Sequence, residues 1–308
     1  MHAAVLSRRT LLQSALATPV SAMAAPVGKA DARHRVMVQG RPQDTASPYK
    51  LRPILAALDA LGGIRLMRCR IPYQRTPGWQ TYVGLARAGV RFCFTLSTRP
   101  LATTIEDLVA FARLCPGAIW AIEYPNEPDL NPVTYNGITD RRLGARIGEA
   151  PALLAFCQDA YRAIRAAPAL RGVPLIAFND HMARQQVELA DYANSHIYPK
   201  EGADVGMIID RWRANVRAAG FRQGVITEWG RTTGGGARNA TVPPVSLARQ
   251  GELLAGDLQR WLAEPMLKAI SLYELFSWGG SGEMENFGLF DRDMKPRPAV
   301  ALLRGLLT

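Results

Sequence analysis

The stretch VRFCFTLSTRPLATTIEDLVAFARLCPGAIWAIEY, which runs from Val90 to Tyr124, decides the fold class. Its first residues, Val90–Leu96, form an apolar run with aromatic and β-branched side chains that predicts a buried strand. Apolar residues then recur with helical spacing over Ile105–Leu114, and a second apolar run at Ala118–Tyr124 predicts another strand. A strand, a helix and a strand in succession indicate a parallel β-sheet, because parallel neighbours need a crossover connection.

The same alternation continues in both directions along the chain. The eight predicted strands are Arg35–Gln39, Ile64–Pro72, Val90–Leu96, Ala118–Tyr124, Val173–Phe178, Tyr192–Ile197, Gly224–Thr227 and Ala269–Phe276. The predicted helices are Lys50–Leu61, Trp79–Ala88, Ile105–Leu114, Pro151–Ala167, a short piece at Arg184–Leu189, Val205–Ala219, Val245–Ala263 and Ala299–Leu307. Eight such units in about 275 residues match a (β/α)8 barrel, so we predict an α/β fold of the TIM-barrel type in a single domain.

An open, doubly wound sheet is the alternative arrangement of such units. That fold usually carries a glycine-rich phosphate-binding loop after its first strand. Here the first predicted strand runs into Gln39-Gly40-Arg41-Pro42, which lacks that fingerprint. The barrel is therefore the preferred prediction.

The first residues do not belong to this alternation. A twin arginine in Ser7–Thr10 precedes a modestly apolar stretch that reaches Val20, and Ala22–Ala24 supplies a small-x-small cleavage pattern. This order is typical of a twin-arginine export signal, which we predict over residues 1–24. The alternative, an ordinary amphipathic helix, fits poorly because polar residues and a proline interrupt it. The folded domain is then 25–308, and the protein is expected in the periplasm or outside the cell.

The overall composition argues against several classes of protein. The 308 residues include 37 basic and 26 acidic side chains, which give a net charge of +11, and 32 of the basic residues are arginine. These arginines are scattered along the chain, whereas a nucleic-acid-binding protein concentrates them on one face. No run of 18 apolar residues predicts a membrane span. We therefore expect neither a nucleic-acid partner nor a membrane contact after signal removal, although the positive charge favours an anionic substrate.

The four cysteines form no recognisable metal or redox motif. There is no C-x-x-C pair, and no histidine lies at metal-ligand spacing from a cysteine. They fall in or beside apolar segments, at Cys69, Cys93, Cys115 and Cys157. We therefore expect buried free thiols and no metal.

In a barrel of this type, functional residues lie at the carboxyl ends of the strands. The predicted strand ends carry polar and aromatic runs at Arg70–Tyr73, Glu123–Pro128, Asn179–His181, His196–Pro199, Thr227–Gly230 and Ser277–Gly279. Two glutamates among them, Glu127 and Glu228, follow the fourth and seventh strands, on opposite sides of the barrel mouth. Cleavage of a glycosidic bond needs such a pair, because one carboxyl must donate a proton while the other stays ionised.

Three of these runs together resemble the clan A glycoside hydrolases, which are retaining β-glycosidases. The runs are Asn126-Glu127-Pro128, His196-x-Tyr198 and Thr227-Glu228-Trp229-Gly230, and their order and strand positions agree with that clan. The segments Leu272–Trp278, Asn286–Leu289 and Lys295-Pro296 extend the resemblance over nearly all of 25–308. The resemblance implies that domain 25–308 cleaves β-glycosidic bonds of an oligo- or polysaccharide with retention, and the predicted export signal makes it a secreted enzyme.

The resemblance also implies roles for individual residues. Glu127 is expected to act as the general acid/base and Glu228 as the nucleophile, with their carboxyl groups about 5–5.5 Å apart. Asn126 is expected to bind the sugar 2-hydroxyl, and Tyr198 to donate a hydrogen bond that keeps Glu228 ionised. His196 and Trp278 are expected to line the subsite of the reacting sugar, Trp278 as a stacking platform.

An arginine on the second strand is expected to lower the pKa of Glu228 by its charge. Arg68 and Arg70 share one strand face, and we prefer Arg70 because it is nearer the strand end. Arg68 is then expected to pair inside the barrel with Glu123, which lies deeper than Glu127. Glu274 is expected to be a fold or rim residue.

Other strand-end and loop residues remain open. His181 is either a substrate contact or a locally bonded loop residue, and Glu283 and Glu285 are expected at the rim. The run Gly234-Gly235-Gly236 is typical of a mobile lid. Arg141 and Arg142 are compatible with an acidic glycan but do not identify the sugar.

Three alternatives to hydrolysis of a glycan stay open. The same scaffold can host a transglycosylase, or a barrel that binds glycan without cleaving it. A metal-dependent hydrolase would use ligands drawn from Asp180, His181, His196 and Glu228, but four histidines in the whole chain make this supply thin. No cofactor motif is present, so we expect no cofactor and a carbohydrate as the partner.

Overall fold

Eight parallel strands close into a barrel, which confirms the predicted TIM-barrel fold. The computed structural model describes residues 29–45, 48–97, 99–140, 150–179, 187–234, 244–278 and 286–308. The barrel strands are β1 (Val36–Gln39), β2 (Leu66–Arg70), β3 (Arg91–Thr95), β4 (Ile119–Glu123), β7 (Leu175–Asn179), β8 (Tyr192–Ile197), β9 (Gly224–Trp229) and β10 (Leu267–Leu272). Neighbours along the chain are neighbours in the barrel, and β10 pairs with β1 to close it.

Helices surround the barrel on its outside. They are α1 (Lys29–Arg35), α2 (Leu51–Ala60), α3 (Trp79–Arg87), α4 (Leu101–Leu114), α5 (Pro151–Ala166), α6 (Val205–Ala218), α7 (Leu247–Leu262) and α8 (Pro298–Leu307). The loop after β4 holds a short antiparallel hairpin of β5 (Thr134–Tyr135) and β6 (Ile138–Thr139). None of the helices in these described ranges is long and apolar enough to cross a membrane.

Some element boundaries differ from the sequence-based expectation. Helix α1 was not predicted, because its sequence KADARHR has no apolar period and buries Ala32 alone among its described side chains. The predicted second strand extends to Pro72, but β2 ends at Arg70, before a proline that cannot donate to the ladder. The predicted helical piece at Arg184–Leu189 begins outside the described residues, and the described part is a turn.

Side chains alternate along each strand, so one set fills the barrel interior and the other packs against the surrounding helices. On β3, Phe92 and Phe94 point outward and pack against Phe111 of α4, whereas Cys93 points into the barrel. The lower half of the barrel interior is filled by inward residues from seven strands: Met37, Leu66, Cys93, Ala121, Ile176, Val225 and Ala269. Period-2 alternation therefore accounts for both the outer helix-packed core and the inner one.

All four cysteines are free and buried in this fold. Cys69 and Cys93 lie on β2 and β3, and Cys157 lies on α5. Burial raises the pKa of the Cys69 thiol, as expected for a neutral thiol in apolar surroundings. The cysteines act here as small apolar side chains.

Candidate active site

The two glutamates chosen from the sequence meet at the carboxyl end of the barrel. Glu228 lies on β9 and Glu127 lies four residues after the end of β4. An oxygen of each carboxyl group and a ring nitrogen of His196 all lie within 4.8 Å of one another. The Nδ1 atom of His196 is 3.0 Å from Glu127 Oε1 and 3.6 Å from Glu228 Oε2. The site is therefore a compact pair of carboxyl groups bridged by an imidazole.

The backbone of Glu127 has an uncommon conformation. Its φ angle is +44°, in the left-handed region that non-glycine residues rarely occupy. The next residue is Pro128, and a proline disfavours α-helical backbone angles in the residue that precedes it. Backbone hydrogen bonds from Leu130 (3.0 Å) and Asn131 (2.8 Å) to the Glu127 carbonyl hold the turn. Strain of about 1–3 kcal/mol at such positions is typical of functional sites.

Glu228 is held as a carboxylate. It is buried, and it accepts hydrogen bonds from Arg68 Nη1 at 2.5 Å and from the Tyr198 hydroxyl. Burial alone would raise the pKa of Glu228, but the charges of His196 and Arg68 and the hydrogen bond from Tyr198 lower it below its ordinary value. An ionised, oriented carboxylate is what a nucleophile at this position requires.

The arginine beside Glu228 is Arg68, which corrects the preference for Arg70. Arg68 is buried, and its guanidinium also donates to Glu123 at 2.6 and 2.8 Å and to Asn126 Oδ1 at 2.6 Å. Arg70 lies two residues further along β2 and is exposed. Nearness to the strand end was the wrong criterion, because the Arg68 side chain extends across the barrel interior to Glu228.

Glu123 is the buried partner of Arg68. Besides Arg68, its carboxylate accepts hydrogen bonds from Thr95 Oγ1, Asn194 Nδ2 and Thr227 Oγ1, each at 3.0 Å. Burial would raise the pKa of Glu123, but the charge of Arg68 holds it well below its usual range. A carboxylate with this many donors and no exposed surface supports the site rather than reacting.

His196 does more than line a sugar subsite. Its Nδ1 faces Glu127 and its Nε2 lies 3.0 Å from Thr227 Oγ1. Burial alone would lower the pKa of His196, but the Glu228 charge and hydrogen bonds with Glu123 and Glu127 raise it to about 9. The imidazole is therefore protonated near neutral pH and supplies positive charge between the two site carboxyls.

A single extra residue in β9 places Thr227 and Glu228 together. Along β8, Ser195 pairs with Ile226 but His196 pairs with Glu228, so β9 contains one more residue than its neighbour at this point. The same shift occurs against β10. Such a bulge re-aims side chains, so Thr227 and Glu228 both contact the site although strict alternation would separate them.

The site opens into a pocket of about 450 Å³, within the size range of small-ligand sites. Its wall includes Asn126, Arg70 and Trp278 together with both glutamates. Trp278 is 47% exposed, and the guanidinium of Arg41 lies over its ring, 3.1 Å from the centroid. One face of Trp278 is thus covered, which restricts the predicted stacking role to the other face.

Behind this wall lies Glu274, which the sequence indicated as a fold or rim residue. It is fully buried, and its Oε2 atom is 3.3 Å from Arg41 Nη2. Burial raises the pKa of Glu274 to about 7, although the charge of Arg41 and a hydrogen bond from Trp278 oppose the rise. Glu274 therefore belongs to the Arg41–Trp278 wall and not to the exposed rim.

Arg41, Thr95 and Asn194 were missed by sequence reasoning. Arg41 and Thr95 lie at or just after a strand end, so position was the available signal for these two, whereas Asn194 lies in the middle of β8. Several residues that the sequence did single out fall outside the described ranges: the signal 1–24, Arg141, Arg142, Asp180, His181, Gly235, Gly236, Glu283 and Glu285.

The donor atoms of Glu127, His196 and Glu228 lie close enough to hold a metal ion, and no other such group occurs among the described residues. The protonation and hydrogen bonds of these residues favour acid/base catalysis over metal binding. His196 has a pKa raised to about 9 and so carries a proton where a metal would bind, while Glu228 already accepts hydrogen bonds from Arg68 and Tyr198. Metal ligands must be deprotonated and available.

No protein-family model and no curated protein matches this sequence. Solved structures of glycoside hydrolases do match its fold. A GH2 β-galacturonidase from Eisenbergiella tayi, bound to galacturonate, gives a TM-score of 0.61 at 15% identity, covering 89% of this chain and 51% of its own. A GH128 endo-β-1,3-glucanase from Amycolatopsis mediterranei, in complex with laminaritriose, gives 0.57 at 14% identity, covering 89% and 99%.

A family 39 glycoside hydrolase from Bacteroides cellulosilyticus WH2 gives a TM-score of 0.57 at 13% identity, with 90% of this chain and 64% of that chain covered. The chain spans about half the length of the galacturonidase. At these identities the likeness is one of fold, a barrel that these glycoside hydrolases share.

Proposed function

We propose that this protein is a retaining glycosidase that cleaves β-glycosidic bonds of an oligo- or polysaccharide. The observation that carries the proposal is the close approach of Glu127 and Glu228, whose carboxylate oxygens lie within 4.8 Å. Retaining enzymes hold their two carboxyl groups about 5–5.5 Å apart, whereas inverting enzymes leave about 6.5–9.5 Å for a water molecule. The glycoside hydrolases among the structural neighbours support the same reaction class.

In the first step, Glu228 attacks the anomeric carbon and the bond to the leaving oxygen breaks. Glu127 gives its proton to that oxygen, so the leaving sugar departs as a neutral alcohol. Arg68 and Tyr198 support this step because their hydrogen bonds keep Glu228 ionised and fixed in direction. The product is a glycosyl ester on Glu228.

In the second step, Glu127 acts as a base. It removes a proton from water, the water oxygen attacks the anomeric carbon, and the ester bond to Glu228 breaks. The protonated His196, 3.0 Å from Glu127, stabilises the negative charge that Glu127 carries between the two steps. Two inversions at one carbon give net retention.

The experiment is labelling with a panel of 2-fluoro-glycosyl inactivators, read by mass spectrometry of the intact protein and its peptides. We expect a stable adduct on Glu228 with at least one sugar. The Glu228→Gln variant is the matched control, which should fold and remain unlabelled. If wild-type protein hydrolyses a glycoside with inversion, as read by proton NMR of the first-formed product, the retaining mechanism is wrong.

Export of the protein is a separate proposal. The twin arginine at Arg8 and Arg9 and the small residues at Ala22–Ala24 support cleavage after residue 24 and function outside the cytoplasm. Expression of the full chain in a bacterium with a twin-arginine pathway tests it. We expect a mature N-terminus at residue 25 in the periplasmic fraction, and an Arg8→Lys, Arg9→Lys variant that stays in the cytoplasm uncleaved.

A further inference from the structure

Two arginines line the wall of the pocket that also holds Glu127 and Glu228. Gln39 of β1 pairs with Arg68 of β2 in the barrel register. Arg41 and Arg70 lie two residues beyond these partners, so they occupy matching positions on adjoining strand ends. Both line the same pocket as Glu127 and Glu228.

These two arginines differ from Arg68 in how their charge is balanced. Arg68 is paired with Glu123 and Glu228 at 2.5–2.8 Å. The exposed guanidinium of Arg70, in contrast, has no carboxylate partner among the described residues.

Among the described residues Arg41 has one ion pair, a 3.3 Å contact with Glu274, besides its stacking on Trp278. Glu274 is a weak counter-charge, because its burial favours the neutral form and raises its pKa to about 7. One further carboxylate on this wall, that of Asp44, repels an anion. Asp44, an exposed residue of the loop that carries Arg41, also lines the pocket. Among the described side chains, however, it pairs with neither arginine. Apart from the two site glutamates, the pocket wall therefore presents two guanidinium groups and one solvated acid. Among the described residues, Glu274 is the only carboxylate that pairs with either arginine.

Sugar geometry determines which ring position meets this wall. Asn126 lies beside Glu127 on the β4 side, where its amide is expected to bind the 2-hydroxyl. In a pyranose ring, C5 lies directly across from C2, and C5 carries the C6 substituent. A sugar held at C2 by Asn126 therefore directs C6 away from β4, toward the far side of the barrel at β10 and β1. Arg41 follows β1 on that side, and Arg70 ends the adjoining strand β2.

We propose that the reacting sugar carries a carboxylate at C6, and that Arg41 and Arg70 bind this carboxylate. The substrate class is thus a β-linked uronic acid, and the inference rests on the proposed glycosidase function. Guanidinium groups match carboxylates in shape and charge, and such charge-assisted hydrogen bonds are about twice as strong as neutral ones. Arg70 is the specificity-determining residue that a test can isolate, because no carboxylate in the described part of the chain pairs with it.

The experiment compares pairs of methyl β-glycosides that differ only at C6: glucuronide with glucoside, and galacturonide with galactoside. Binding to the Glu228→Gln variant is measured by titration calorimetry, so that no turnover interferes. We expect one uronide to bind at least about tenfold more tightly than its neutral partner, with the difference shrinking as salt rises. Adding Arg70→Gln should remove most of that difference and leave binding of the neutral sugar unchanged.

Arg75→Gln is the matched control, since Arg75 is an exposed arginine of the loop that follows β2 and does not line the pocket. It should leave both affinities unchanged. Equal binding of the uronide and its neutral partner, or an equal loss of both in Arg70→Gln, overturns the inference. If neutral 2-fluoro sugars label Glu228 and uronic ones do not, the glycosidase proposal stands and this inference is wrong. If no sugar binds and none labels, both are wrong.

Discussion

The lower and upper halves of the barrel interior are built on the same strands but filled in opposite ways. On β2, Leu66 and Arg68 both point inward, two residues apart; on β4 the same is true of Ala121 and Glu123. The lower member of each pair packs in a small apolar cluster. The upper member joins a network of charges and hydrogen bonds.

The difference shows how one scaffold supports both stability and chemistry. The side chains of the lower half need only fill the available volume, because they carry no polar group that requires a hydrogen-bond partner. In the upper half each buried group depends on specific donors and acceptors, so loss of one member leaves another unsatisfied. Substitutions in the two halves should therefore fail in different ways.

The largest effect is expected in the upper half, at the reacting groups themselves. Glu228→Gln and Glu127→Gln should each lower kcat by about a thousandfold or more, because neither the nucleophile nor the proton donor has a substitute. Activity should be measured on the substrate found by labelling, and folding by circular dichroism. Turnover near the wild-type rate in a folded variant would contradict the assignment of that residue.

Glu123→Gln tests whether the upper half also supports the fold. The substitution leaves Arg68 buried with half of its countercharge, which should lower the free energy of unfolding by about 3 kcal/mol. Urea unfolding followed by tryptophan fluorescence measures it. Glu106→Gln, at an exposed position of α4, is the control and should change stability by about 0.5 kcal/mol or less. Equal losses of stability in the two variants would mean that the buried Arg68–Glu123 ion pair does not stabilise the fold.

The charge on His196 makes the upper half sensitive to alkaline pH. Its pKa rises from 6.5 to about 9 on folding, so its stabilising contribution is complete below pH 6.5 and disappears as pH rises through 9. The shift corresponds to a contribution on the order of 3 kcal/mol. Unfolding measured between pH 6 and pH 9.5 should show this loss in the wild type and not in His196→Gln.

The exposed His34 of α1 provides the control for this experiment. His34→Gln should keep the wild-type pH dependence. At the acid end Glu228 acts in the opposite sense, because its pKa is lowered on folding. Its contribution is present above its ordinary value and disappears as pH falls through the lowered one. A wild-type profile that is flat from pH 6.5 to 9.5 would show that His196 is neutral in the folded protein.

Local sequence patterns were sufficient to predict the barrel and to select Glu127 and Glu228, which the fold brings together. Strands, helices and turn residues are patterns of neighbouring residues, and Glu127 and Glu228 follow directly from where two strands end. The chain order alone then brings those strand ends to one face.

The sequence could not predict the contacts that depend on strand register or on how far a long side chain extends. The extra residue in β9 shows itself only when β9 is aligned with β8, so Thr227 was missed as a partner of His196. Whether Arg68 or Arg70 meets Glu228 depends on side-chain length and tilt inside the barrel. The Arg41 group over Trp278 joins residues far apart in the chain, which no local pattern indicates.

The smallest effect is expected in the lower half, where Ile176→Val removes one methylene from a fully buried side chain. It should lower the free energy of unfolding by about 1 kcal/mol and leave kcat unchanged, because the cluster around Ile176 has no polar partner to lose. Thr95→Val is the matched change in the upper half, similar in size but without the hydroxyl that donates to Glu123 at 3.0 Å. It should cost about 1.5–3 kcal/mol, since a hydrogen bond to a charged group is lost. If both variants lost the same stability and both kept full activity, the two halves would not differ in the way that their contacts indicate.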